Sequence, residues 1–206
     1  MTSRAEQRAA TRRALLAEGR RRFARDGFHE VVLAEVAQGI GATKGAAYHH
    51  FGSKAGLFRA VVEEAQREVA DRVARAAGEH DDPWEQLLAG CRAFLAASSD
   101  PELRRIMLVD APTVLGWNEW RTLDESSSAR HLAEALESLI AAGVIEPQPT
   151  GPLTRLLSGA MNEAALWLAQ APGPDPATPG RPDGSTLDAT MAALTRLLDG
   201  LRRPSR

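Results

Sequence analysis

The sequence feature that most restricts the fold is a glycine-marked turn between two short helical patterns. Apolar residues recur at helical spacing from Leu33 to Ile40, which predicts a short helix with one buried face. Gly39 and Gly41 allow the chain to end that helix and turn sharply. Thr43 then offers a hydroxyl cap to a second short helix. Two helices joined by a short glycine-containing turn indicate a helix-turn-helix, whose second helix lies in the DNA major groove.

Charge is distributed unevenly along the 206 residues, whose formal net charge is −2. Residues 1–60 contain eleven Lys/Arg and five Asp/Glu, a net charge of +6, so the remainder carries −8. A basic segment in front of an acidic body is typical of a polyanion-binding head. The same arginines, taken alone, also fit a solvated charged face on the first helix.

Helical periodicity continues through the rest of the chain, without strand-like alternation or internal repeats. We therefore predict an all-α protein of nine or ten helices, in which a three-helix module precedes an all-helical ligand-binding and dimerisation domain. The predicted DNA-binding domain covers residues 1–54, a long connecting helix covers 54–77, and the second domain covers 78–206. Residues 172–184 hold five prolines and three glycines, which predicts a loop.

Several other classes of protein are not expected. No apolar run is long enough for a membrane span, and the charged N-terminus lacks the apolar region of a signal peptide, so we expect a cytoplasmic protein. The single cysteine, Cys91, fits a reducing compartment. Motifs for a nucleophile elbow, a phosphate loop or a zinc site are missing, so we predict no enzyme activity, no cofactor and no metal.

The segment Leu33–Phe58 resembles the N-terminal module of the TetR family of bacterial transcription regulators. The family pattern begins with Phe-x-x-x-Gly-aromatic, which is present at Phe23–Phe28. It continues as Gly-x-Ser/Thr-Lys-Gly-x-x-Tyr-x-His-Phe, which is present at Gly41–Phe51 and is followed by Gly52-Ser53-Lys54. The resemblance is specific because order, spacing and residue type agree throughout this region.

This resemblance implies a one-component DNA-binding regulator and gives six residues a contact role. The expected DNA contacts are Thr43, Lys44, Gly45, Tyr48, His49 and Lys54. The Tyr48 hydroxyl is expected to donate to a phosphate, and Gly45 to let DNA approach the backbone. Each has a structural alternative, such as capping alone for Thr43 and ordinary helix tolerance for Gly45.

Two departures from the family pattern stand out. Members often have a capping Ser or Thr before the second helix, whereas this chain has Val31 and Val32, so Glu30 or a backbone group must replace the cap. Arg20 and Arg22 occupy positions of the first helix that are usually apolar in the family.

A small-molecule effector, lipophilic or cationic, is expected between helices of the second domain. The candidate pocket residues are Leu87, Cys91, Phe94, Met107, Asp110, Trp117, Trp120, Met161, Asn162 and Trp167. A buried acid such as Asp110 among aromatic side chains would favour a lipophilic cation. Core or dimer-interface packing is the alternative explanation for each of these residues.

The leading hypothesis is a repressor that binds double-stranded DNA as a homodimer and leaves a pseudo-palindromic operator when the effector binds. The dimer is expected through the Ala-rich apolar helices at 129–142 and 153–171, although packing within one chain is the alternative for these helices. The alternative function is a helical ligand-binding protein or enzyme with a vestigial DNA-binding module.

Overall fold

The computed structural model describes residues 3–170 and 184–203. The helices within these ranges are α1 (Arg4–Asp26), α2 (Leu33–Gly39), α3 (Lys44–Phe51), α4 (Lys54–Ala77), α5 (Pro83–Ser98), α6 (Pro101–Arg104), a π-helical segment (Arg105–Asp110), α7 (Ala111–Leu115), α8 (Trp117–Glu125), α9 (Ser128–Ala141), α10 (Thr150–Leu168) and α11 (Gly184–Asp199). The described ranges contain no strand, only one isolated β-bridge between Ile145 and Arg202. The predicted all-α class with an N-terminal helix-turn-helix is confirmed. The loop predicted at 172–184 lies outside the described residues, apart from Gly184, which begins α11.

Side-chain caps explain where three helices begin. At α1, the Ser3 N–H donates to the Glu6 carboxylate over 2.6 Å, and the Glu6 N–H donates to the Ser3 hydroxyl over 3.1 Å, which is a capping box. Thr43 caps α3 and Asp82 caps α5, each by accepting hydrogen bonds from first-turn N–H groups. The cap predicted at Thr43 is therefore present.

The described residues form two compact units. The first contains the residues up to Ala65 together with Arg105–Trp120, and the second contains Gln66–Arg104 and the described residues from Arg121 onwards. The division falls inside α4, and the segment Arg105–Trp120, which the sequence places in the second domain, belongs to the first unit.

Two polar side chains explain why that segment belongs to the first unit. Arg105 Nη1 donates to the Arg25 carbonyl at the end of α1 over 2.9 Å. Asp110 Oδ2 accepts a hydrogen bond from the Phe28 N–H over 3.0 Å. These bonds satisfy backbone groups that the end of α1 leaves without helical partners, and the two partners of each bond lie about 80 residues apart in the sequence.

Three phenylalanine rings form the core of the first unit. The Phe58 ring lies 5.0 Å from that of Phe23 and 5.1 Å from that of Phe28, in edge-to-face arrangements that aromatic pairs favour. Gly19 lies beside Leu57, where an added Cβ would lie 2.9 Å from Leu57 Cδ2. This glycine therefore lets α1 and α4 approach closely and hold the helix-turn-helix between them.

The second unit is a helical bundle in which α5 contacts α9, α10 and α11. Its fully buried side chains include Leu95, Leu136, Leu139, Ile145, Leu168 and Leu198. The cavity described below lies within this unit and is partly open to solvent. No helix in the described part of the chain is both long and apolar enough to cross a membrane.

Candidate nucleic-acid interface and ligand cavity

Ala47 is the buried residue of α3, and most polar residues of this helix lie on its solvent-facing side. The predicted contact residues Thr43, Lys44, Gly45, Tyr48 and His49 are all exposed. Tyr48 keeps 46 % of its surface exposed, and the Lys44 ammonium lies 5.7 Å from the centre of its ring. Five of the six predicted DNA-contact residues are therefore accessible: Thr43 caps α3, Lys44 and Gly45 lie in its first turn, and Tyr48 and His49 lie in its second turn.

The fold does not require glycine at position 45. The nearest atom to an added Cβ would be Thr43 Oγ1 at 3.8 Å, which is ordinary van der Waals contact. Gly56 is different, because an added Cβ would lie 2.0 Å from the Phe51 carbonyl oxygen. Glycine lowers the stability of a helix relative to alanine. The contacts of the free chain therefore do not explain why glycine occupies position 45, whereas contact with a binding partner would explain it.

Arginines of α1 add positive charge beside α3. The Arg12 guanidinium carbon lies 5.2 Å from the centre of the Phe51 ring. Burial lowers the pKa of His50, and the neighbouring Arg8, His49 and Arg12 lower it further. His50 is therefore neutral at pH 7, and the arginines supply the charge on this side of the module.

Lys54 has a structural role that the sequence did not indicate. Its Nζ donates to the carbonyls of Phe28 and His29 over 2.9 and 3.1 Å, and lies 4.4 Å from the centre of the Phe28 ring. These contacts hold the segment between α1 and α2. Contact of Lys54 with DNA remains a prediction.

The departures before α2 have clear structural outcomes. Val31 is buried, Val32 is 49 % exposed, and Val32 is the N-cap of α2 without a side-chain hydrogen bond. Glu30 therefore does not replace the missing cap, and a backbone group does so, because the Val32 carbonyl accepts from the first-turn N–H of Glu35 over 3.0 Å. A phosphate contact from a side chain at 31 or 32 is not supported by these residues.

The unusual arginine on α1 joins an ion-pair cluster. Arg22 pairs with Glu18 over 2.6 Å and with Glu35 of α2 over 3.5 Å. Burial raises the pKa of Glu18, but hydrogen bonds from Arg22 and Arg21 outweigh it, so the pKa lies below its usual value. Arg22 thus links α1 to α2 where the family usually has an apolar contact.

The second unit contains a cavity of about 310 Å³ between α4, α5, α8, α9 and α10. Four of the ten predicted pocket residues line it: Leu87, Cys91, Phe94 and Met161. They form part of a mainly apolar wall, as is usual in small-molecule sites. Their contact with a ligand remains a prediction.

The other six predicted pocket residues do not line this cavity, and their contact with a ligand also remains a prediction. Met107, Asp110, Trp117 and Trp120 belong to the first unit. Asn162 and Trp167 belong to the second unit, where Asn162 is buried and Trp167 is 53 % exposed. Helical periodicity shows which residues share a face, but the unit that a face packs in depends on tertiary contacts.

The sequence interpretation missed all seven described polar residues that line the cavity, which are Gln86, Asp124, Ser128, His131, Glu134, Ser138 and Ser158. Burial raises the pKa of Asp124, while hydrogen bonding from Ser158 and the charge of Arg121 offset part of that rise. Asp124 and Ser128 are four residues apart and would share a face of one continuous helix. Because α8 ends at Glu125 and α9 begins at Ser128, only the structure shows that both residues line the cavity.

The cysteine in the cavity wall is chemically inert at neutral pH. Burial raises the pKa of the Cys91 thiol to about 12, so the reactive thiolate is scarce. Among the described residues, no group of three His, Cys, Asp or Glu side chains is arranged to hold a metal ion.

An exposed recognition helix on a basic module, joined to a helical bundle with an apolar cavity, defines the class of ligand-binding helix-turn-helix regulators. Residues 15–61 match the family model described as bacterial regulatory proteins, tetR family. Residues 84–201 match the model for the tetracyclin repressor-like, C-terminal domain. The chain belongs to the TetR family of transcriptional regulators.

Individual relatives agree with this assignment. The crystal structure of a TetR-family transcriptional regulator from Pectobacterium atrosepticum is 34 % identical, covers all of both chains and superposes with a TM-score of 0.74. An HTH-type transcriptional repressor of Mycobacterium tuberculosis is 33 % identical over 118 residues, which are 54 % of this chain and 58 % of the repressor. The nucleoid occlusion factor SlmA of Vibrio vulnificus is 32 % identical over 83 residues, or 40 % of this chain and 42 % of that factor. The chain thus spans about half the length of the curated relatives it matches.

The matches cover both predicted functions of the chain. It is a TetR-family transcriptional regulator with an N-terminal DNA-binding domain and a C-terminal ligand-binding domain. The alternative of an enzyme or ligand-binding protein with a vestigial DNA-binding module is not favoured, because the family consists of transcriptional regulators.

Proposed function

We propose that this regulator is a cytoplasmic, homodimeric repressor that binds a pseudo-palindromic operator through α3 and is released by a small molecule in the second unit. In this proposal, the domain predicted at 1–54 contacts DNA, and the domain predicted at 78–206 holds the effector and the second copy. The observation that carries it is the exposed surface of α3, where glycine occupies position 45 although the free chain has room for a side chain.

The contact roles follow from the positions of the side chains on α3. Thr43 and Lys44 lie at the helix N-terminus, where free N–H groups and the helix dipole favour a phosphate. Tyr48 and His49 lie in its second turn with accessible polar atoms, suited to phosphate contacts that set the register on DNA. Lys44 provides a full charge, whereas Tyr48 provides only a hydroxyl donor.

Two substitutions separate these contributions. Lys44→Ala removes a cation. The slope of log Kd against log salt concentration should therefore decrease by about one unit. Tyr48→Phe removes only a hydrogen bond, so the affinity should fall by about 1 kcal/mol at every salt concentration without a change in slope. The measurement is fluorescence anisotropy with a labelled duplex from the DNA upstream of the protein's own gene, over a range of salt concentrations.

Arg75→Ala provides a matched control, because Arg75 is an exposed cation of α4 in the second unit. It should leave both affinity and slope unchanged. The proposal fails if wild-type protein shows no binding at low salt, or if Lys44→Ala and Tyr48→Phe bind as wild type does.

The homodimer is supported by exposed apolar side chains of the second unit. Leu156 and Leu197 are each 73 % exposed and Trp167 is 53 % exposed, and exposed apolar side chains of this kind mark an interface where they form one contiguous patch. They lie on α10 and α11. None of the large exposed apolar residues in the described ranges lies on α9, so α11 is a better second interface helix than the predicted 129–142.

A second copy is the partner of choice, because a twofold axis would place two α3 helices on DNA half-sites about 34 Å apart. Replacing Leu156 and Trp167 together by Glu should convert the dimer to a monomer in sedimentation-velocity experiments and weaken DNA binding. Leu95 and other core residues are untouched by these changes, so the melting transition of each unit should persist. A wild-type chain that sediments as a monomer at micromolar concentration would contradict the dimer.

A further inference from the structure

The cavity of the second unit has a mainly apolar wall that also contains polar residues. Its volume is about 310 Å³. Leu87, Phe94 and Met161 are among the apolar residues of the wall. Asp124, Ser128 and Ser158, from α8, α9 and α10, are among the polar ones, and the Ser158 hydroxyl donates to the Asp124 carboxylate.

Asp124 retains the ability to accept hydrogen bonds from a ligand. It is only 5 % exposed, and its Oδ2 accepts from Ser158 Oγ over 3.0 Å and from Arg121 Nη1 over 3.1 Å. A carboxylate offers about four acceptor positions, so these bonds do not exhaust its capacity. They do hold the carboxylate in one orientation at the cavity wall.

Ser128 supplies the second, independent observation. It lines the cavity and is 9 % exposed, and its Oγ has no hydrogen-bond partner among the described residues. Buried polar groups are nearly always hydrogen-bonded, and leaving one unpaired is unfavourable. The Ser128 Oγ has almost no accessible surface in the free protein, so a ligand group in the cavity would supply the missing partner after rotation of the side chain about its Cα–Cβ bond.

The charges around the cavity disfavour an anion. No lysine or arginine is among the described residues that line the cavity, whereas two acids, Asp124 and Glu134, line it. His131 also borders the cavity, but its ring lies 3.3 Å from the Glu134 carboxylate. A carboxylate or phosphate placed here would lose hydration without gaining a free cation.

We propose that the effector is an apolar molecule without an anionic group, whose single polar end is an ammonium or hydroxyl group that donates to Asp124 and bonds to Ser128. This inference rests on the proposed ligand-responsive function and adds the chemical class of the effector. The shared chemistry of the two headgroups is a hydrogen-bond donor at the end of an apolar body.

Three probes with one body and different headgroups test the proposal. They are 4-phenylbutylamine, 4-phenylbutan-1-ol and 4-phenylbutanoate, measured by isothermal titration calorimetry on the full-length wild-type protein. The amine, the alcohol or both should bind at least about tenfold more tightly than the carboxylate, as expected for one hydrogen bond to a charged group. Preference for the amine would indicate an ionised Asp124 in the complex, and preference for the alcohol a neutral one.

Three variants locate the headgroup. Asp124→Asn should remove most of the preference. Ser128→Ala should weaken it by several fold while the free protein stays folded, because the substitution removes an unpaired buried hydroxyl. Glu163→Gln, at an exposed acid of α10 outside the cavity, should bind all three probes as wild type does.

The proposal is overturned if the carboxylate binds as tightly as the other two probes, if no probe binds at millimolar concentration, or if Ser128→Ala has no effect. Operator binding by the same preparations is measured in parallel by anisotropy. Intact DNA binding with a failed probe series would refute the effector class alone, whereas loss of DNA binding in the wild-type protein would refute the proposed repressor.

Discussion

Replacing Gly45 by Ala should make the protein more stable and a weaker DNA binder. An added Cβ at position 45 would find its nearest atom, Thr43 Oγ1, at 3.8 Å, so the free chain accepts it without strain. Ala is favoured over Gly inside a helix by about 0.5–1 kcal/mol. Position 45 is the second residue of α3, where the gain should be near the lower limit.

The same methyl group should obstruct DNA. If DNA lies in van der Waals contact with the Gly45 backbone, the added group enters that space by about one carbon–carbon bond, or about 1.5 Å. Overpacking of this size typically costs about 1–3 kcal/mol, which corresponds to about a five- to 150-fold increase in Kd. Stability and affinity should thus change in opposite directions.

Thermal denaturation and fluorescence anisotropy on one preparation measure the two effects. Gly159→Ala is the control, because Gly159 lies inside α10 of the second unit and an added Cβ there has no atom within 4 Å. It should raise stability without a change in Kd. Unchanged DNA affinity of Gly45→Ala would refute the close approach of DNA to α3, and a loss of stability would refute the inference that position 45 has room.

Three further predictions concern the first unit. Gly56→Ala should destabilise the protein by about 2 kcal/mol or more in urea denaturation, because the new Cβ would lie 2.0 Å from a backbone oxygen; unchanged stability would show that α4 starts differently. Asp110→Ala should cost about 1–2 kcal/mol by leaving the Phe28 N–H without its acceptor, whereas Asp110→Asn, which keeps an acceptor oxygen, should lose less. Burial and nearby cations lower the pKa of His50 in the folded protein. As the pH falls, the unfolded chain therefore binds a proton at His50 before the folded protein does. The free energy of unfolding of the wild type should consequently decrease as the pH falls below about 6.5. The drop should be smaller in His50→Gln, and equal pH profiles for the two proteins would contradict the assignment.

The helix-turn-helix was predictable because its determinants are local. The spacing of apolar residues in α2, the turn at Gly39 and Gly41, and the Thr43 cap all act within a few residues of one another. The structure adds that Gly41 has a φ of +70°, which explains why glycine suits that turn. The role of Lys54 could not be inferred in this way, because its partners Phe28 and His29 belong to an earlier loop.

Which of the predicted pocket residues share a cavity could not be inferred from the sequence, for the same physical reason. Leu87, Cys91, Phe94 and Met161 share a cavity because α5 and α10 pack together, and nothing in their spacing distinguishes them from Met107 or the tryptophans. Asp110 was the acid expected in a pocket. The acid that lines the cavity is Asp124, whereas the Asp110 carboxylate accepts a hydrogen bond from the Phe28 N–H in the first unit.

The helical class and the position of the recognition helix follow from local sequence patterns, because they depend on short-range periodicity, caps and turns. Tertiary structure alone decided that 105–120 joins the first unit, which side chains surround the cavity and which hydroxyl there lacks a partner. These properties depend on contacts between residues far apart in the chain, and local patterns contain no information about which faces meet.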